Sequence, residues 1–253
     1  MRVTILGCGT AGGVPQIGDD WGDCDREEPR NRRLRPSILV EEAGLRILVD
    51  TAPDLRQQSL NAEFDTLDAV LFTHSHADHT HGIDDLRYIS RRMGGQRVNI
   101  FADSRTLKLL QKRFHYAFNK DPDKHYPPIL KAHEIKGRFE IGPVKIAPFV
   151  QHHGPIDSIG YRFGAFAYST DVVSLDDKAF EALAGVEVWI VDALQIEPHP
   201  THSHLAQTLS WIERVKPRRA ILHHMNTAMD YASITPTLPD GVELAYDGMV
   251  IEV

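Results

Sequence analysis

The stretch that most constrains this chain is residues 69–92. Four apolar residues, Ala69-Val70-Leu71-Phe72, have the length and composition of a buried strand. They run through Thr73 into His74-Ser75-His76-Ala77-Asp78-His79-Thr80-His81-Gly82, and a helical pattern begins near Ile83. Ligand-type side chains are thereby gathered at the mouth of a strand, where the chain turns. His74 and His76, two positions apart, can project to one side, while the turn carries Asp78 and His79 towards a neighbouring point. One short loop can then serve two adjacent metal ions. Imidazole suits zinc, iron and several other transition metals, and carboxylate also accommodates manganese.

The rest of the chain must supply the walls of such a site. Short runs rich in Val, Ile and Phe predict strands at residues 3–6, 38–40, 47–49, 69–73, 98–101, 144–147, 159–163, 166–169, 188–191, 220–222, 244–246 and 249–251. Helical patterns fall at 54–61, 83–92, 104–118, 176–183 and 205–215, with capping chemistry at Ser104 and a stop before Pro217. Early strands cluster as hairpins and later ones alternate with helices. That mixture predicts an α/β (α+β) fold, an αββα sandwich of two packed mixed sheets with helices outside. No Pro/Gly/Ser-rich linker interrupts residues 1–253, which read as a single domain. Residues 119–137, with Pro122, Pro127 and Pro128, read as a surface excursion and a candidate lid.

Composition narrows the partners. No apolar run approaches the roughly 20 residues of a membrane span, and the start, Met1-Arg2-Val3-Thr4-Ile5-Leu6-Gly7, enters a glycine turn too early for a leader. Two cysteines, Cys8 and Cys24, suit a reducing compartment and cannot form a Cys-only zinc site. These features predict a cytoplasmic protein. A formal net charge of −7 argues against nucleic acid as a habitual partner. Gly7-Cys8-Gly9-Thr10-Ala11-Gly12 is a literal G-x-G-x-x-G after a strand. A dinucleotide site needs a helix to start there. Gly13-Val14-Pro15-Gln16 has no helical period, so the turn is expected to shape the approach to the metal loop instead.

His-Ser-His-Ala-Asp-His at positions 74–79 resembles the H-x-H-x-D-H signature of the metallo-β-lactamase superfamily. The resemblance extends through most of the chain and implies that fold and a binuclear, metal-dependent hydrolase. It implies His74, His76 and His153 on one ion, Asp78, His79 and His224 on the other, and Asp171 between them, with two divalent ions, Zn or Mn, as cofactors. Taken singly the distant three stay open: Asp171 could be a turn residue, and His152 and His223 compete with His153 and His224. A metal-bridging hydroxide would attack the substrate. Within the superfamily the chain is most similar to the phosphoribosyl 1,2-cyclic phosphate phosphodiesterases of phosphonate breakdown. Three stretches carry the likeness: Gly12-Gly13-Val14-Pro15 followed by Asn31-Arg32-Arg33-Leu34-Arg35-Pro36-Ser37; Ser203-His204-Leu205; and Leu222-His223-His224, followed by Tyr246-Asp247-Gly248-Met249.

The expected activity is therefore hydrolysis of a small cyclic or nucleotide-like phosphodiester, with an ester, thioester or lactone hydrolase as the alternative. A metal-holding sensor without turnover is a third class. His204 is the expected proton donor, with His199 and His202 as rivals, and Asp78 serves both as ligand and as catalytic residue. Asp50 and Asp192, each after a strand, could orient metal-bound histidines. Arg32, Arg33 and Arg35 could hold a substrate phosphate, although the run reads better as a solvated loop. The resemblance also implies a structural zinc, but the matching positions are Asp19, Trp21, Cys24 and Thr227. That site is expected to be absent, with the loop 19–30 held by packing around Trp21. Homodimers are common in the family; the residues themselves say nothing of oligomeric state.

Overall fold

In a computed structural model, residues 1–120 and 127–253 are described. Alternation of apolar residues builds the first half into β1 (Arg2–Gly7), β2 (Ser37–Glu42), β3 (Leu45–Val49), β4 (Ala69–Leu71), β5 (Val98–Ala102) and β6 (Leu130–Glu134). The second half supplies β7 (Phe139–Ile141), β8 (Val144–His153), β9 (Ile156–Phe163), β10 (Phe166–Ser169), β11 (Val188–Asp192), β12 (Arg219–His223), β13 (Val242–Leu244) and β14 (Val250–Glu252). The β2–β3 hairpin closes through Ala43 and Gly44, both at positive φ (52° and 80°), the two-residue turn that matches strand twist.

These strands form two seven-stranded sheets, ordered β14-β1-β2-β3-β4-β5-β6 and β13-β12-β11-β10-β9-β8-β7. Both are mixed: β3 to β6 run parallel, as do β10 to β13. The last strand returns to pair with β1, and the Met1 amine donates to the Val253 carbonyl at 2.9 Å. Alternation assigns the two faces of the first sheet. Ile38, Val40, Ile47, Val49 and Leu71 join Tyr161, Phe163, Trp189 and Ile190 in the core shared by the sheets. Leu39, Leu48, Val70 and Phe72 point the other way. They pack under α1 (Leu55–Asn61), α3 (Leu86–Arg92) and α4 (Ser104–Arg113). A hydrogen bond from Tyr161 Oη to the Phe72 carbonyl, 2.6 Å and fully buried, ties the sheets together just before the histidine loop.

The expected sandwich is the observed one, with local differences. The helix expected at 104–118 breaks at Phe114 (φ −116°) into α4 and α5 (His115–Phe118). Its cap is Asp103, which accepts from Thr106 N at 2.8 Å, and not Ser104. A one-turn α2 (Ala77–Thr80) starts inside the histidine cluster, ahead of the expected helix. The remaining helices are α6 (Asp177–Leu183), α7 (Leu205–Val215) and the short α8 (Tyr231–Ile234). The excursion expected at 119–137 lies partly outside the described residues; the rest of it contains β6, an edge strand with Leu130 buried. Among the described residues no helix is long and apolar enough to cross a membrane.

The loop that follows the glycine turn is held by a compact polar centre. Trp21, Cys24 and Val14 form a small apolar cluster of their own. Arg33, 2 % exposed, reaches the carbonyls of Asn226 and Met229 (3.1 and 2.5 Å), Asn31 Oδ1 (3.1 Å) and Cys24 Sγ (3.9 Å). This corrects the solvated reading of the arginine run at that position. Asp230 accepts from Asp25 N, Asn31 Nδ2 and Ser233 N at 3.0, 2.7 and 2.8 Å. Burial acts upward on its carboxyl, but these donors outweigh it and hold the pKa at about 2, against an ordinary 3.8. Asp230 is thus lower-shifted in the folded state, and its contribution is complete above pH ~4 and lost as pH falls towards 2. In urea unfolding, Asp230→Asn should trail the wild type most above pH ~4, with the gap closing towards pH 2; a gap independent of pH would assign the effect to geometry instead of charge.

Candidate metal centre

The parallel strands of both sheets deliver their carboxyl ends to one rim. His74 follows β4, His153 ends β8, Asp171 follows β10 and His224 follows β12. Asp50 follows β3 and Asp192 ends β11. Three of these six, Asp50, Asp171 and His224, sit at positive φ (64°, 53° and 60°). Such a conformation is uncommon for residues other than glycine and is concentrated at functional sites.

The side chains form two groups of four, each able to hold a metal ion: His74, His76, His153 and Asp171, and Asp78, His79, Asp171 and His224. Asp171 belongs to both and divides its oxygens between them. Its Oδ2 lies 3.6 Å from His74 Nε2 and 3.5 Å from His153 Nε2. Its Oδ1 lies 3.0 Å from His79 Nε2 and 3.2 Å from His224 Nε2. Asp78 Oδ2 closes the second group, 3.3 and 3.6 Å from the same two nitrogens. His76 Nδ1 is 3.3 Å from His153 Nε2 and is the exposed member.

A cation fits this donor set. Nε2 of His74, His79 and His224 is buried with no hydrogen-bond partner, a costly arrangement unless a ligand takes the lone pair. Burial opposes charge on His79, but Asp171, Asp78 and Asp50 overcome it and push its ring well above the usual range. Burial likewise raises Asp171, yet His224, His79 and His74 outweigh it and hold the carboxyl well below the usual range. Imidazole and carboxylate donors at this density suit a transition metal.

Outer contacts aim the rings. Asp50 Oδ2 meets His79 Nδ1 at 2.7 Å, and both its oxygens accept from Thr73 at 2.8 Å. His153 Nδ1 donates to the Thr201 carbonyl at 2.7 Å. Neither Thr73 nor Thr201 was identifiable from the sequence, since one works from a strand end and the other through its backbone. Placement separates the members of the two histidine pairs. His152 is exposed and pairs with Asp157 at 2.9 Å, leaving His153 in the cluster. His223 is buried against the Gly7 carbonyl (3.0 Å), and burial pushes its pKa down to about 3, leaving His224 at the site.

Of the histidines in the segment before α7, the structure brings His202 to the cluster. His204 is the N-cap residue of α7 and makes no side-chain cap hydrogen bond. The ring that reaches Asp171 is that of His202, with Nε2 3.8 Å from Oδ2 and the plane stacked on His224 at 4.8 Å. Its Nδ1 meets Asp192 Oδ2 at 2.9 Å, and that same oxygen accepts from Val172 N at 3.0 Å. His199 stands outside, its ring 5.4 Å from that of His202. In the arginine run, Arg35 is bound to Asp54 through Nε (2.8 Å) and Nη2 (2.5 Å), and Arg32 lies over the Trp21 ring at 4.8 Å.

Known proteins resemble the chain over most of its length. A family described as "Beta-lactamase superfamily domain" matches residues 45–225. A protein of Porphyromonas gingivalis named octanoyltransferase is 34% identical over 256 residues, covering 98% of this chain and 51% of that protein. A ribonuclease Z of Bradyrhizobium diazoefficiens is 45% identical over 60 residues, 23% of this chain and 20% of that one. The chain therefore spans about half, and about a fifth, of these curated relatives. The crystal structure of a diphosphatase described as belonging to the PhnP family superposes with a TM-score of 0.92 at 36% identity, covering 100% of this chain and 97% of that one.

Asp50 orients His79 without entering the cluster, so its loss should be felt as metal affinity. Asp50→Asn is expected to lower affinity about 10–100-fold in a competitive chelator titration. Unchanged affinity would show that the carboxylate serves folding alone.

Proposed function

On the premise that the chain belongs to the β-lactamase superfamily, whose domain model spans 45–225, we propose that it is a binuclear metal-dependent phosphodiesterase acting on a small cyclic or nucleotide-like phosphodiester. The observation that carries the reading is the division of Asp171 between the two groups, one oxygen to each. His74, His76, His153 and Asp171 would hold one ion, and Asp78, His79, His224 and Asp171 the other. Zinc or manganese suits such a donor set. When bound, two such ions supply Lewis acidity towards phosphoryl oxygens and bring the pKa of water towards neutrality.

The chain's own residues supply orientation and a proton. Hydrolysis adds water across the P–O bond, and the departing oxygen needs one proton. We assign its delivery to His202 Nε2, because Asp192 fixes Nδ1 and the stacked His224 ring fixes the plane. His204, two residues on, is the N-cap residue of α7 and makes no side-chain cap hydrogen bond, which makes it the weaker candidate. The names of two similar proteins, a ribonuclease and a diphosphatase, both denote attack at phosphorus and support the reaction class. The two buried, unpaired cysteines, Cys8 and Cys24, are in keeping with a cytoplasmic location.

A second reading has its own observation. The octanoyltransferase name denotes acyl transfer, and that relative matches nearly the whole of this chain. An ester or thioester would use the same centre without a phosphate-binding surface. Chelator-stripped protein restored with Zn²⁺ or Mn²⁺ should hydrolyse bis(p-nitrophenyl) phosphate and leave an octanoyl thioester untouched. His202→Ala should retain its metals and lose about 10²–10⁴-fold in turnover, whereas Asp78→Ala should lose metal and turnover together. Thioester cleavage without phosphodiester cleavage would transfer the proposal to the second reading.

A further inference from the structure

Helix α4 meets the metal loop at its carboxyl end. Arg113, its last residue, donates from Nη1 to the Ser75 carbonyl, between His74 and His76. Phe114, where the helix breaks, is buried and meets the His81 ring edge-on at 5.6 Å. His81 is the histidine of the loop that enters neither group of metal-site side chains. Two consecutive residues at one helix end thus touch the loop at two points, Ser75 and His81.

Three neighbouring ligands are aimed by contacts to their rings. Asp50 meets His79 Nδ1 at 2.7 Å, the Thr73 hydroxyl lies 3.0 Å from His74 Nδ1, and the Thr201 carbonyl accepts from His153 Nδ1 at 2.7 Å. His76 has no such aid. Its Nδ1 faces His153 Nε2 at 3.3 Å, and among the described residues no group meets its own Nε2. It is also the exposed member of its group. What fixes His76 is therefore its backbone. Its carbonyl accepts from the Thr80 hydroxyl (2.8 Å) and from His79 N (3.3 Å), both within the loop. Thr73, on the other side, is tied to Asp50 and, through its carbonyl, to Ile159 N at 2.9 Å. For the backbone of residues 74 and 75, between these ties, the bond from Arg113 is the one hydrogen bond among the described residues. Arg113 is itself exposed, and among the described residues no carboxylate lies within ion-pair distance of it.

We infer that Arg113 is a positioning residue for the ion of the His74, His76 and His153 group: by holding the Ser75 carbonyl it sets the backbone from which His76 projects into that group. The inference rests on the binuclear part of the proposed function and not on the substrate. The sign of the effect is diagnostic. A guanidinium near a metal ion repels it, so removal of a bystander arginine would tighten metal binding. Removal of a positioning arginine does the reverse, because the freed backbone must be ordered again when the ion binds.

The probe is Co²⁺, whose visible absorption depends on its ligands, titrated into the metal-free protein. The wild type should take up two ions, and His76→Ala identifies the one whose affinity depends on that ligand. Arg113→Ala should weaken the same ion by about 10–100-fold, as loss of an outer partner of a metal ligand does, and leave the other unchanged. Arg113→Lys should recover part of the loss, since one N–H is enough for a single carbonyl. In the His76→Ala background, Arg113→Ala should add little, because the two residues act through one ligand. Tighter binding in Arg113→Ala, equal loss at both ions, or full additivity with His76→Ala would overturn the inference. Two ions whose affinities ignore Arg113 would remove the inference and leave the binuclear reading standing. A wild type that binds a single ion would remove both.

Discussion

Asp171 is a carboxylate 2 % exposed, with ring nitrogens of His74, His79, His153, His202 and His224 within 3.0–3.8 Å. Burying such an ion costs several kcal/mol unless partners repay it. The imidazoles around it have the complementary problem, since three buried Nε2 atoms have no hydrogen-bond partner. A cation held by each group would relieve both costs at once. Much of the local structure can be read as the means of enforcing this crowding. The left-handed backbone at Asp50, Asp171 and His224 turns strand ends inward, and Asp50 and Asp192 lock the rings that result.

Two seven-stranded sheets make the crowding possible. Each sheet is parallel on one side, so neighbouring strands end on the same rim, and the sandwich brings the two rims together. The shared core fixes their separation through interdigitated side chains such as Leu71, Tyr161 and Trp189. The hydrogen bond from Tyr161 to the Phe72 carbonyl places one rim against the other two residues before His74. The site is therefore a property of the sandwich and not of the histidine loop alone.

The loop itself was legible because strand, turn and helix signals agree around four ligand-type residues. The sandwich followed from hairpins in the early strands and alternation in the later ones. Other features needed the third dimension. In β8 the buried positions change parity across Ala147 and Pro148, so alternation counted from Val144 does not single out His153 over His152. His202 and His204 lie in an irregular segment with no period to rank them, and the Asp192 contact that sets His202 apart is made across 10 residues of chain. Strand β6 was missed because only Leu130 of its five residues is buried. Arg33 looked like one more solvated arginine because its partners are backbone carbonyls of a segment nearly 200 residues away, invisible to local pattern.

The central claim is that Asp171 stands between two metal ions. Anomalous diffraction from crystals soaked in Zn²⁺ or Mn²⁺, recorded on both sides of the absorption edge, addresses it directly. Two peaks about 3.5–4 Å apart are expected, one among His74, His76 and His153 and one among Asp78, His79 and His224, with an Asp171 oxygen directed at each. A single peak, or one held by Asp192, His202 and His224 away from Asp171, would contradict the account.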